Sequence, residues 1–294
     1  MKVIVIGKGG QLGYELMRFP LPSGIDRAGF GRTEVDITDQ TAVKSLFRDE
    51  HPDVIINVAA YTDVDKAETD HAAAFAVNEK APRSIASACA ETGACLIHLS
   101  TDFVFDGTKK EPYTENDAVN PINVYGESKA AGEQAVREVL DRHIILRTSW
   151  LFGRHGSNFV KTILRLGEKR DSLSIVDDER GCPTSAFDLA RAILELTAQI
   201  SEHMRWGTYH YAGRGATTWY GLAGEIFLLA EGAFGQRPIL DPISAREYSS
   251  PARRPANSVL DCTRISTEFG IEPVDWRNEL RSVVQELLGE EAIP

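Results

Sequence analysis

The 294-residue chain is 43% hydrophobic and 26% charged, the balance of a globular protein with room for one large core or two domains. A formal net charge of −11 at pH 7 excludes a broad nucleic-acid surface, which needs a basic face, yet leaves room for a local anion site. No apolar run approaches the roughly 20 residues of a membrane-spanning helix, so no membrane partner is expected.

The chain opens with MKVIVIG, which lacks the basic region and long apolar stretch of a signal peptide. Cys89, Cys95, Cys182 and Cys262 are scattered without metal-ligand spacing, so a reducing, cytoplasmic location is expected. Val3–Ile6 reads as a strand buried on both faces. GKGGQLG follows, then the helix-forming YELMRF. A second short segment ends near Gly31 and Arg32. Asp39–Glu50 reads as a helix, Val54–Asn57 as a strand, His71–Glu91 as an Ala-rich helix and Ala94–Leu99 as a strand. Ile122–Leu140 has a helical pattern, and His143–Arg147 is the next strand. This alternation predicts an α/β fold of Rossmann type, with a doubly wound parallel sheet.

After Trp150 the rhythm loosens. Phe159–Glu168, Thr184–Ala198, Thr218–Ala230 and Trp276–Leu288 look helical, Thr208–Tyr211 looks like a strand, and Ser250–Pro255 is a basic, turn-rich loop. The expectation is a nucleotide-binding domain over residues 1–150 and a smaller C-terminal α/β substrate lobe over 151–294. Some later segments can return to the core.

Gly7, Gly10 and Gly13 lie between the first strand and helix. There a backbone without side chains can approach a pyrophosphate held at the helix N-terminus. The spacing differs from the commoner G-x-G-x-x-G. The second strand usually ends in an acid for the ribose of NAD, but Arg32 stands there instead. It favours the 2′-phosphate of NADPH over NADH, the alternative being an ordinary surface arginine. Asp36 and Ile37 fall at the adenine edge, and Asn57 through Tyr61 end the third strand in mostly small residues.

Tyr125 and Lys129 are four apart and share a helix face. The sequence places them behind Ser100, Thr101 and Asp102 at a strand end. A lysine one turn away, and a cationic nicotinamide ring in the oxidised complex, are expected to favour the phenolate of a tyrosine whose ordinary pKa is about 10. Tyr125 then gives a proton to a carbonyl oxygen while hydride arrives from the cofactor, and Thr101 donates to the same oxygen.

With these residues in place, the chain resembles the extended short-chain dehydrogenase/reductases, and within them a branch acting on nucleotide-linked 4-keto-6-deoxy sugars. The likeness runs through GKGGQLG, DVIINVAAYTDVDKAE, STDFVFDG, NVYGESKAAGE, RTSWLFG, NFVKTILRL, GCPT and RRPANS. It implies reduction of the 4-keto group of dTDP-4-dehydro-β-L-rhamnose by NAD(P)H, giving dTDP-L-rhamnose. It further implies that Tyr125 is the proton donor and that Lys129 is its partner and a ribose ligand. Thr101, Asp102 and Trp150 would meet the sugar, and Arg254 its diphosphate. Gly10, Gln11, Leu12, Asp36, Ile37, Ala60, Tyr61, Thr62 and Leu99 would line the cofactor. Some members dimerise around magnesium held by glutamates. Here Glu15 is present, but Phe187 stands where such members carry an acid, although Glu290 and Glu291 leave acids near the C-terminus. A homodimer is compatible with the resemblance, whereas a bound metal is not expected. Two other readings are a reductase of a different nucleotide-linked 4-keto-6-deoxy sugar, and a non-catalytic subunit similar to the regulatory subunit of methionine adenosyltransferase.

Overall fold

The structure, a computed structural model, describes residues 1–21, 23–201, 203–231 and 238–289. Glu290 and Glu291 lie outside the described residues. In chain order the first half holds β1 (Lys2–Ile6), α1 (Gln11–Arg18), β2 (Asp26–Phe30), α2 (Gln40–Glu50), β3 (Val54–Asn57), α3 (Val64–Ala67) and α4 (His71–Phe75). A π turn (Ala76–Lys80) leads into α5 (Ala81–Thr92), followed by β4 (Cys95–Thr101), α6 (Val124–Val139) and β5 (His143–Thr148). The second half holds β6 (Leu151–Phe152), α7 (Phe159–Gly167), β7 (Ser172–Val176), β8 (Arg180–Gly181), β9 (Thr184–Ser185) and α8 (Ala186–Ala198). It continues with β10 (Gly207–His210), β11 (Thr217–Thr218), α9 (Trp219–Leu229), β12 (Ile239–Ile243), α10 (Ala245–Tyr248), α11 (Thr263–Phe269) and α12 (Trp276–Leu287).

Six strands form a parallel sheet in the order β10-β5-β4-β3-β1-β2. Alternate residues of β1 face opposite sides, so both faces must be covered. Val3 and Val5 pack with Leu12 and Leu16 of α1 and Leu189 and Ile193 of α8. Ile4 and Ile6 pack with Phe47 of α2, Ile85 of α5 and Val136 of α6. Each such fully buried side chain contributes roughly 1.5–3 kcal/mol by leaving water. Chain order reverses on the two sides of β1, which opens a crevice at the C-terminal strand ends. A separate core of Phe152, Leu164, Leu173, Phe227, Trp276 and Leu280 joins α7, β7, α9 and α12 into the smaller lobe.

Several boundaries differ from the predicted ones for local reasons. Asp39 is a cap rather than a helical residue, its carboxylate accepting from Thr41 N and Ala42 N. The helix predicted over His71–Glu91 contains the π turn, with Asn78 buried inside it. Thr184 and Ser185 pair with β6, and helix α8 starts only at Ala186. The parallel pair β7 and β12 went unread, since Pro242 inside β12 argues against a strand and is tolerated only in so short a sheet.

Candidate functional site

A cleft of about 1160 Å³ runs along the C-terminal ends of β1, β3, β4 and β5. It exceeds what one small ligand needs, roughly 300–1,000 Å³. Gly7 has φ of +97°, a conformation side chains resist. A Cβ on Gly13 would stand 2.1 Å from the Gly7 carbonyl oxygen, so glycine there lets α1 press onto the loop. Gly10 precedes α1 and offers no side-chain cap. The first turn of α1 is thus left with donors for an anion in the cleft. From the opposite wall, Asn158 Nδ2 donates to Gln11 Oε1 at 2.9 Å and holds that side chain.

Every residue predicted for the site lines this cleft except Arg254. At the β2 end, Arg32 is exposed. Glu34, two residues on, is engaged by Lys8 Nζ at 2.5 Å and Gly31 N at 2.9 Å. Asp36 accepts from Thr38, whose hydrogen bonds, with the charge of Arg32, hold its carboxyl below the usual range. The positive charge that remains facing the cleft at this strand end is Arg32.

β4 and α6 bring the chemistry together. Asn123 caps α6 by accepting from Gly126 N, which fixes the first turn bearing Tyr125. Thr101 ends β4 in register with Thr148 of β5. Its hydroxyl donates to Asp102 Oδ1 at 3.0 Å. Lys129 is 2% exposed, and its Nζ donates to the Leu99 carbonyl at 2.6 Å. Burial lowers its pKa to about 8, while the charge of Glu133, one turn further on, acts to raise it. Glu133 is fully buried and accepts from Ser100 Oγ, Arg147 Nε and Nη2, and Arg137 Nη2.

The lowering of the Tyr125 pKa expected from Lys129 is not found. Burial pushes the phenol up to about 12, with the Thr101 hydroxyl acting the other way. The physical reason is the direction of Lys129. Spacing puts the two residues on one face, but the ammonium is turned to Leu99 O, and desolvation prevails. A neutral phenol is the form a proton donor needs.

Trp150 lines the cleft with φ of +46°, stacked on Trp219 with ring centres 3.5 Å apart. Trp219 in turn donates to Glu179 Oε2. Arg254 stands apart, its Nη2 on Asp65 Oδ2 at 3.0 Å and its Nη1 on Ala252 O. A phosphate role for it therefore requires exchange of the Asp65 pair. Sequence reasoning missed Asn78, whose side chain bonds both the N–H and the carbonyl of Tyr61 and also Ser128 Oγ. This π turn ties the β3 end to α6, a common use of such bulges. Thr148, whose buried hydroxyl lacks a partner, was also missed. Neither has a sequence signal of its own.

Among the described residues, the surroundings of Glu15 do not fit a cation. Glu15 and Glu286 line a small cavity with Phe187, and Arg154 sits between the two acids. Its Nε donates to Glu15 Oε1 at 3.0 Å and its Nη1 to Glu286 at 2.7 and 2.8 Å. Phe187 packs on Phe19 instead of offering an oxygen. With a guanidinium already paired to both carboxylates, EDTA is expected to leave activity and sedimentation unchanged. A shift toward smaller species on chelation would overturn this.

The chain matches the family model described as RmlD substrate binding domain over residues 1–288. It is 42% identical over 292 residues to the dTDP-4-dehydrorhamnose reductase of Sinorhizobium fredii, covering 98% of each chain. The crystal structure of a dTDP-4-dehydrorhamnose reductase from Clostridium acetobutylicum is similar, with TM-score 0.91 and 36% identity over 98% of this chain and 99% of that one. So is the Bacillus anthracis dTDP-4-dehydrorhamnose reductase in complex with NADP, at TM-score 0.91 and 36% identity over 97% and 99%. A family match over nearly the whole chain, on this sheet and this cleft, means that the chain belongs to the NAD(P)H-dependent dTDP-4-dehydrorhamnose reductases of the extended short-chain dehydrogenase/reductases.

Proposed function

We propose that the cleft binds NADPH along α1 and reduces the sugar beside Tyr125. The family's reaction turns the 4-keto group of dTDP-4-dehydro-β-L-rhamnose into the hydroxyl of dTDP-L-rhamnose, the final step of that synthesis. The observation that carries the reading is the meeting of Thr101, Tyr125 and Lys129 in one cleft with the uncapped start of α1. Bound NADPH supplies the hydride. Thr101 and Tyr125 hold the carbonyl oxygen, and the neutral phenol of Tyr125 protonates it as negative charge develops. Lys129, cationic below about pH 8, stands where it meets the cofactor ribose. Trp150 offers an apolar edge to the deoxysugar, and the carboxyl of Asp102 lies beside it. Loss of NADPH absorbance on adding dTDP-4-dehydrorhamnose tests the reading. No turnover by the folded protein would refute it.

Cofactor choice falls to Arg32, the cation left facing the cleft once Glu34 is tied to Lys8. A charge-assisted hydrogen bond is worth about 1.5–3 kcal/mol. Arg32→Ala is therefore expected to raise KM for NADPH by roughly 10- to 100-fold and leave that for NADH nearly unchanged. Equal effects on both cofactors would remove the 2′-phosphate assignment.

A further inference from the structure

We propose that Asn158 is a positioning residue for the cofactor: it turns the Gln11 side-chain amide so that the donor end, Nε2, is the end offered to the cofactor diphosphate. This role rests on the reading that NADPH lies along α1. Gln11 is the first residue of α1 and lines the cleft beside Gly10, where no side chain caps the helix. An amide side chain there can present either a carbonyl oxygen, which repels a diphosphate, or an NH2 group, which donates to it. Which end reaches the ligand decides whether Gln11 helps or hinders binding.

Two backbone groups on the opposite wall set the choice. Lys161 N can only donate, and it bonds Asn158 Oδ1 at 3.1 Å, capping α7. Gly153 O can only accept, and it takes a hydrogen bond from Asn158 Nδ2 at 2.7 Å. Both bonds require the same orientation of the Asn158 amide, so the atom that meets Gln11 is an N–H donor. Gln11 must answer with Oε1, at 2.9 Å. Its Nε2 is then the free end, and no hydrogen bond holds it among the described residues.

The rest of the loop between β6 and α7 keeps Asn158 in place over α1. His155 stacks on Tyr14 with ring centres 4.1 Å apart, and its Nε2 lies 3.3 Å from Gly9 O. Arg154 Nε reaches Glu15 on the same helix. Gly156 lies against the Gln11 stem, where an added Cβ would stand 2.9 Å from Cγ. Behind the loop, Val160, Ile163 and Leu164 anchor α7 in the core of the smaller lobe. The orientation of a cleft-lining amide is thus set by the smaller lobe, not by the glycine loop beside it.

Asn158→Ser keeps a good helix cap, but its side chain is too short to hold Lys161 N and Gln11 together. Its melting temperature is expected to stay close to wild type. Its Kd for NADP+, read by calorimetry without sugar, is expected to rise about 3- to 10-fold, the equivalent of one neutral hydrogen bond. Gln11→Ala is expected to give a similar rise. Adding Asn158→Ser to it should give no further one, because the side chain that Asn158 positions is gone. Adenosine 2′-monophosphate, which has no diphosphate, is expected to bind each of these proteins equally well. Unchanged NADP+ affinity in Gln11→Ala or Asn158→Ser would overturn the proposal. So would additive losses in the double variant, which would make Asn158 a structural support only. Equal weakening of adenosine 2′-monophosphate would also overturn it, by placing the effect away from the diphosphate. Failure of the folded wild-type protein to bind NADP+ at all is a distinct result, which refutes the cofactor reading itself and this role with it.

Discussion

Tyr125→Phe is expected to lower kcat by about 10²–10⁴-fold while NADPH affinity and melting temperature stay close to wild type. The substitution removes one hydroxyl, and the ring's edge-on contact with Phe103 remains. Since burial holds the phenol near 12, the donor is already protonated across the neutral range, so the loss should be nearly independent of pH between 6 and about 8. Lys129→Met is expected to act differently. It removes the cation proposed to meet the cofactor ribose and the donor to Leu99 O, so NADPH affinity should fall together with kcat. Wild-type affinity should itself weaken above about pH 8, where the ammonium loses its proton. Stopped-flow NADPH binding and single-turnover reduction separate these effects. Near wild-type hydride transfer by Tyr125→Phe would remove the tyrosine from the mechanism.

The parts of the molecule legible in the sequence are those governed by short-range rules. Val54–Asn57 is buried on both faces and reads as an apolar run, and the strand has those bounds in the structure. Tyr125 and Lys129 meet in the cleft because helical periodicity is local, and Gly7 and Gly13 mark a tight loop by needing no side chain. What sequence could not supply were the partners brought by the fold. Asn78 sits in an Ala-rich stretch, and only the approach of the β3 end explains a polar residue there. Trp219 is distant in sequence from Trp150, and nothing local pairs them. The pairing of Arg254 with Asp65, from α3, likewise has no local signal. The charge state of Tyr125 depends on where Lys129 points, and spacing fixes only which face it leaves.

Glu133→Ala is expected to destabilise the fold by roughly 3–5 kcal/mol, the usual consequence of leaving a buried partner charge alone. Arg147 is 1% exposed and gives two hydrogen bonds to this one carboxylate, and its remaining Nη1 lies 3.4 Å from His210 Nε2. With Glu133 gone, the guanidinium has no anion among these contacts. The same carboxylate joins α6 to Ser100 on β4 and, through Arg147, to β5, so the strand end carrying Thr101 loosens with it. Replacing both charges with apolar residues, as in Glu133→Leu with Arg147→Met, should recover much of the loss, because desolvation of the pair offsets most of its attraction. Glu133 is held at about 2, below its ordinary 4.5, by Arg147, Arg137 and Ser100 against the effect of burial. Its stabilising contribution is therefore complete above about pH 4.5 and is lost as pH falls toward 2. Urea midpoints at pH 7 and 3 measure both effects. A single variant that lost less than about 1 kcal/mol at pH 7, the range of exposed ion pairs, would show that Arg147 finds another partner or water.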